Sequence, residues 1–202
     1  MVTLPPYLEA NRLEAGCDEV GRGCLAGPVV AAAVILPQDF SNPWINDSKK
    51  LRKSQREELV DEIKNSAIAW AIAEATVEEI DQINILNASF LAMKRAIQQL
   101  KVEPEHLLID GNRWKSDLSY PYTCVIKGDG KFASIASASI LAKVHRDNFM
   151  ESLALEFPHY GWETNAGYPT KIHRAGIENF GKTIWHRTSF QLLPKQMMLD
   201  LK

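Results

Sequence analysis

Short apolar runs alternate with amphipathic stretches along this chain, and that alternation limits the fold more than any other feature. "LEAGCDEV" and "GPVVAAAVIL" are small or β-branched runs separated by a Gly-rich turn, the pattern of two neighbouring strands. "KSQREELVDEIKN" follows, with Ser54 placed as an N-cap and Glu57 three residues later, the pattern of a capping box that opens a helix. "SAIAWAIAEA" reads as a strand with Ala67, Ala69, Ala71 and Ala73 on one face and Ile68, Trp70 and Ile72 on the other. "TVEEIDQI" and "NILNASFLAMKRAIQQL" read as helices, the second with Leu86, Phe90, Met93 and Ile97 at helical spacing. "HLLIDG" and "YTCVIKGDG" are strands that run into acid-bearing glycine turns, and a long helix is expected from Lys131 to Phe157. Strands alternating with helices predict an α/β domain with a parallel or mixed sheet. Beyond Pro158 the pattern changes, and one helix at "PTKIHRAGIENF" suggests a small helical C-terminal part (about 158–202) beside an α/β core (about 1–157), all within a single domain.

The longest apolar run, "PVVAAAVILP", is closed by proline at both ends and is far short of the roughly 18 residues that cross a bilayer. The first residues carry acids and prolines where a signal peptide would be basic and then apolar, so a cytoplasmic protein is expected. Cys17, Cys24 and Cys124 are odd in number and lack CxxC spacing, which indicates neither a disulfide framework nor a zinc site. The net charge of -2 hides an asymmetry: residues 1–110 sum to -6 and residues 111–202 to +4. A basic second half is compatible with a surface that tracks phosphates.

Asp18, Glu19, Asp110 and Asp129 each fall at the end of an expected strand or in the turn after it, where sites gather in α/β sheets. Buried carboxylates without partners are costly, and a divalent cation would relieve them. Oxygen ligands of this kind suit magnesium or manganese, and such a centre positions a phosphate for attack by water. Each acid also has an ordinary reading: Asp129 as a turn or helix cap, Asp110 as a turn former, Glu19 as half of an ion pair with Arg22. Neighbouring strand residues point to opposite faces, so Asp18 and Glu19 can share a metal only if the backbone leaves extended geometry; Gly21 and Gly23 permit this. "GRG" itself lacks the GxGxxG and GxxxxGK[ST] forms, so no nucleotide-binding fold is indicated.

"DEVGRG" at 18–23, "NDSKKL" at 46–51, "LIDGN" at 108–112, "KGDG" at 127–130, "SASILAKVHRD" at 137–147 and "GYPT" at 167–170 together resemble the bacterial ribonuclease HII family, in order and across nearly the whole chain. The resemblance implies a ribonuclease-H-like fold: a mixed central sheet flanked by helices. It implies that Asp18, Glu19, Asp110 and Asp129 are catalytic and bind two Mg²⁺ or Mn²⁺ ions. It further implies hydrolysis of the RNA strand of RNA–DNA hybrids and incision 5′ of single ribonucleotides in duplex DNA. Gly21, Arg22 and Gly23 match the family's sensor of the 2′-hydroxyl, and Tyr168 matches a tyrosine that stacks on the next sugar. Lys49, Lys50 and Lys143, with Ser137 or Ser139, match phosphate contacts. The chain is expected to act as a monomer with no membrane partner. His145, His159, His173 and His186 form no ligand pair in sequence and are expected to be structural or surface residues. Two positions depart from the family pattern: Ala166 stands where a basic residue is common, and Gly130 stands where Ser or Ala is commoner. An idle hybrid-binding module and a junction resolvase are the competing readings; the complete acid set argues against the first, and "GRG" with Tyr168 against the second.

Overall fold

The computed structural model describes residues 3–45 and 52–194. Five strands form one sheet in the order β3-β2-β1-β4-β5: β1 (Glu14–Val20), β2 (Val29–Ile35), β3 (Ala69–Ala75), β4 (His106–Asp110) and β5 (Tyr122–Val125). β1 pairs antiparallel with β2, and β2 with β3, whereas β1–β4 and β4–β5 are parallel. The sheet is therefore mixed. Its two parallel pairs bring the ends of β1 and β4 to the same edge.

The helices are α1 (Lys53–Ser66), α2 (Val77–Gln98), α3 (Ala133–Glu156), α4 (Trp162–Asn165) and α5 (Lys171–Phe180). α2 covers one face of the sheet, where Ala88, Ala92, Met93, Ala96 and Ile97 meet Cys17, Ala31, Ala33, Ala69 and Ala73. Small residues on both sides let helix and sheet approach closely. The opposite face carries Val30, Ala32 and Val34 against Leu59 and Ile63 of α1 and Ala136, Ile140 and Leu141 of α3. α3 lies so close to β1 that a Cβ on Gly16 would stand 2.3 Å from the Ser134 carbonyl carbon. Only glycine fits there, and this contact fixes the helix over the strand that bears Asp18 and Glu19.

Two local expectations change, the cap of α1 and part of the stripe on α2. α1 starts at Lys53 with Arg52 as its N-cap, and the Arg52 N–H donates to Gln55 Oε1 at 2.9 Å; Ser54 sits inside the first turn, because Arg52 is already in extended geometry and ends the preceding segment. The two helices expected around residues 76–99 are found within α2 and meet at Asn84, whose backbone is non-helical (φ 66°, ψ 163°) and whose Oδ1 accepts the N–H groups of Leu86 and Asn87, capping the second. Thr76 and Glu79 form the capping box at its start. Of the residues expected on its apolar stripe, Met93 and Ile97 are buried beside Ala88, Ala92 and Ala96, whereas Leu86 and Phe90 are half-buried.

The alternation expected for β3 holds: Ala69, Ala71, Ala73 and Ala75 are buried, and Trp70 is exposed beneath Lys64 Nζ, 4.9 Å from its ring. Beyond α3, Tyr160 and Trp162 stack at 5.0 Å and pack with Met150, Leu153 and Ile177. Leu192 packs on the same cluster, and Arg174 donates to the Gln191 and Leu192 carbonyls, so the described part of the C-terminal segment docks on the domain. Cys17, Cys24 and Cys124 are free thiols. No helix among the described residues is long and apolar enough to cross a membrane.

Candidate nuclease site

β1 remains a regular strand through Val20, with Asp18 opposite Ala32 and Glu19 opposite Ala31. The departure from extended geometry comes after the two acids, at Gly21 (φ 98°), and the acids keep their alternation. Asp18 faces α3, where the Ser139 hydroxyl hydrogen-bonds its carboxylate. Its Oδ1 also accepts the Glu19 N–H at 2.7 Å. Glu19 faces the α2 side and lines a cleft of about 230 Å³ with Arg22, Leu86, Phe90, Met93, Asp110 and Asn112. Arg22 Nη1 reaches Glu19 Oε1 at 3.1 Å, so the ordinary ion pair is present.

Asp110 closes β4, and its Oδ1 accepts the Gly128 N–H at 2.6 Å. Asp129 is buried in the 3-10 turn Gly128–Gly130, one residue beyond that contact. The turn depends on glycine at 128, where a Cβ would stand 2.5 Å from Ile135 Cδ1 and 3.2 Å from Asp110 Oδ1.

Electrostatics tie three of the four acids together. Burial pushes the Asp18 carboxyl well above the usual range, and the charges of Glu19 and Asp110 raise it further. Burial likewise raises Glu19 to about 7; Arg22 opposes the rise and Asp110 adds to it. Buried carboxylates raised by neighbouring acids at a strand edge suit a hard divalent cation, since every donor is oxygen. Among the described residues, however, no three Asp, Glu, His or Cys side chains stand close enough to enclose one. Alternation along β1 accounts for this, because Glu19 starts from the opposite face to Asp18 and is drawn to Arg22.

The residues expected to contact substrate divide. Gly23 and Tyr168 are neighbours: a Cβ on Gly23 would stand 3.8 Å from Tyr168 Cε1, and the tyrosine is exposed. Lys143 Nζ lies 6.0 Å from the Tyr168 ring centroid and 2.8 Å from Asp147 Oδ1. Ser137 is fully buried, and its hydroxyl has no hydrogen-bond partner among the described residues. Lys49 and Lys50 lie outside the described residues.

The matching family model is ribonuclease HII, and it covers residues 15–193. The chain belongs to the ribonuclease HII family. The family carries ribonuclease H activity, endonucleolytic hydrolysis of a phosphodiester. The ribonuclease HII of Parabacteroides distasonis is 61% identical over 196 residues, 97% of this chain and 98% of that protein. The ribonuclease H2 of Pyrococcus horikoshii OT3 superposes with a TM-score of 0.74 at 23% identity, covering 89% of this chain and 94% of its own. Bst-RNase HIII, solved in complex with Mn²⁺, gives a TM-score of 0.69 at 18% identity over 90% of this chain and 68% of its own. The ribonuclease-H-like fold expected from the sequence is the fold found.

Sequence reasoning missed two residues at this site, Arg146 and Arg187, both fully buried. Arg146 reaches the carbonyls of Pro28, Ala26 and Ala166 at 2.9, 2.9 and 2.7 Å. Arg187 reaches those of Gly27, Arg22 and Pro28 at 2.9, 3.2 and 3.1 Å. A signal existed for Arg146, which lies four residues after Ala142 and four before Met150 on the buried stripe of α3. Nothing in "HRTSF" marks Arg187. His173 and His186, expected to be structural or surface residues, are both buried and share a hydrogen bond at 3.1 Å between their Nε2 atoms.

Proposed function

We propose that this ribonuclease H is metal-dependent, cleaves the RNA strand of RNA–DNA hybrids, and incises duplex DNA 5′ of an embedded ribonucleotide, leaving 5′-phosphate and 3′-hydroxyl ends. The observation that carries the metal dependence is the elevation of the buried Asp18 and Glu19 carboxyls, to which the charge of Asp110 adds; a cation beside them would relieve it. Asp18, Glu19, Asp110 and Asp129 would hold Mg²⁺ or Mn²⁺, two ions at full occupancy; the Mn²⁺ complex of Bst-RNase HIII supports divalent metal use. Bound there, the ions would polarise the attacking water and neutralise the scissile phosphate and leaving oxygen.

The chain's own groups orient those ligands. Ser139 and the Glu19 N–H direct the Asp18 carboxylate, and the Gly128 N–H directs that of Asp110. Arg22, released from Glu19 when a cation takes its place, becomes available to a phosphate. Gly21, Arg22 and Gly23 would read the 2′-hydroxyl through their backbone, the feature that separates RNA from DNA at one nucleotide. Tyr168, exposed beside Gly23, would stack on the following sugar, and Lys143, Lys49 and Lys50 would contact phosphates. Ser139 is proposed here as a ligand of Asp18, and the fully buried Ser137 is left out of the phosphate contacts. The chain is proposed to act as a monomer on its nucleic-acid substrate.

The test is a labelled DNA duplex carrying one ribonucleotide, incubated with Mg²⁺, Mn²⁺ or EDTA. Incision 5′ of the ribonucleotide that EDTA abolishes is the expected result. Cleavage of an all-DNA duplex at a similar rate would overturn the assignment.

A further inference from the structure

The turn that follows the paired acids is held from beneath by residues far away in sequence. Gly21 O accepts the Cys24 N–H at 3.3 Å, closing a tight turn around Arg22 and Gly23. A Cβ on Gly21 would stand 2.3 Å from Arg146 Nε, so the buried guanidinium of α3 lies directly against the turn. Arg187 Nη1 donates to the Arg22 carbonyl at 3.2 Å.

That last contact has a directional consequence. The Arg22–Gly23 peptide is trans, like every peptide among the described residues, so its C=O and N–H point in opposite directions. With the Arg22 carbonyl drawn inward onto a fully buried guanidinium, the Gly23 N–H must face outward. It does so at an exposed residue beside Tyr168, and among the described residues it has no acceptor.

Arg187 is itself fixed at several points. Residues 185–187 lie antiparallel to residues 25–27: Gly27 N donates to Trp185 O at 2.9 Å, Arg187 N donates to Leu25 O at 2.8 Å, and Ala26 pairs with His186. Just beyond, Asp81 of α2 accepts the N–H and hydroxyl of both Thr188 and Ser189, at 2.6 to 3.0 Å. Three carbonyls in different directions require the planar fork of arginine; a lysine ammonium on one stem could not serve them together.

We infer that Arg187, held by the Asp81 clasp, is a positioning residue for ribose recognition, aiming the Gly23 N–H at the 2′-oxygen of the nucleotide being cut. The inference rests on the proposal that the 21–23 turn reads the 2′-hydroxyl. It adds the groups that orient the turn, and it makes the segment 185–189 part of substrate selection.

The experiment compares kcat/KM on two duplexes that differ at one sugar, ribose or 2′-fluoro, since fluorine accepts a hydrogen bond far more weakly than a hydroxyl oxygen. The whole chain is used, as wild type, Arg187→Lys and Asp81→Asn, each with its melting temperature. Wild type should favour ribose. In Arg187→Lys that preference should shrink by about tenfold, through a lower ribose rate and an almost unchanged 2′-fluoro rate. A general structural defect would instead lower both rates in proportion and leave the ratio intact. A ratio unchanged in a folded Arg187→Lys overturns the inference while leaving the ribose-sensing proposal standing. Should Arg187→Lys fail to fold, Asp81→Asn decides: the ratio should shrink about threefold, and an unchanged ratio with a lowered melting temperature overturns the inference. A wild-type enzyme indifferent to the two sugars would overturn the sensing proposal first, and the inference with it.

Discussion

Gly128 donates its backbone N–H to Asp110 Oδ1 at 2.6 Å, so the acid that ends β4 is oriented by the turn that carries Asp129. The two acids are 19 positions apart in sequence, and this hydrogen bond helps join their loops. A methyl group at 128 would press on Ile135 Cδ1 at 2.5 Å and on Asp110 Oδ1 at 3.2 Å. Gly128→Ala should therefore cost about 1–3 kcal/mol of stability, as overpacking in a dense core does. It should also lower kcat more than KM is raised, because the displaced group is a carboxylate rather than a substrate contact. Urea unfolding and steady-state kinetics on the same preparation check both halves; full activity would show that the turn tolerates the shift.

Removing a charge from the acid cluster should separate stability from activity. Asp18 is buried and raised by its neighbours, and Asn would retain an Oδ1 for the Glu19 N–H. Asp18→Asn should abolish turnover, leave hybrid binding largely intact, and raise the melting temperature in EDTA, with a gain on the order of 1 kcal/mol at neutral pH. A lower melting temperature in EDTA would mean that the carboxylate holds the fold together.

Much of this arrangement was legible in the sequence because its signals are local. Strand alternation in "AWAIAEA", the helical pattern after Thr76 and the glycine turns after "LLID" and "TCVIK" each depend on residues within one turn or strand. The cap of α1 was misplaced because Ser54 and Glu57 match the box equally well, and the extended geometry of Arg52 decided the matter. The place of the bend beside Asp18 and Glu19 is likewise not set by local sequence. Glycines permit a bend, but pairing with Ala32 and Ala31 holds β1 straight past both acids. Apart from the Ala166 carbonyl, the carbonyls that Arg146 and Arg187 reach are more than a hundred positions away, and no local pattern encodes a contact of that range.

Acid pH should loosen the C-terminal part through its histidines. Trp162 Nε1–H donates to His173 Nε2 at 3.0 Å, and the Thr183 N–H donates to His186 Nδ1 at 2.9 Å. His173 Nε2 is therefore an acceptor, and the hydrogen shared with His186 Nε2 belongs to His186. Protonating His173 would bring three donors together. Burial lowers both rings, His186 from 6.5 to about 4 with His173 adding to the drop. The unfolded chain then takes up protons first: stability is intact above about pH 6.5 and falls towards pH 4. Asp18 and Glu19, raised by burial, act in the opposite direction over part of that range. The difference in melting temperature between wild type and His186→Gln isolates the histidines, and it should narrow steadily from pH 7.5 to 4.5. A constant difference would show that the rings do not titrate in that window.

Ala166 offers the last test, because it is both strained and chemically unusual. It adopts left-handed geometry (φ 46°, ψ 34°), and its carbonyl accepts Arg146 Nη1 at 2.7 Å. The backbone is thus held where a side chain at 166 faces the cleft of Lys143, Asn165 and Tyr168. Any residue with a Cβ meets the same left-handed geometry there, so Ala166→Lys should leave stability within about 0.5 kcal/mol. It would place a cation beside Tyr168, where a phosphate of the bound strand is expected to run. Affinity for an RNA–DNA hybrid should rise, and the slope of log affinity against log salt should steepen by about one phosphate contact. Ala166→Gly, which relieves the strained backbone without adding charge, should stabilise the fold by about 1 kcal/mol and leave the salt slope unchanged. Equal slopes for wild type and Ala166→Lys would place the phosphate path elsewhere, and Lys143 would then lose its proposed role as well.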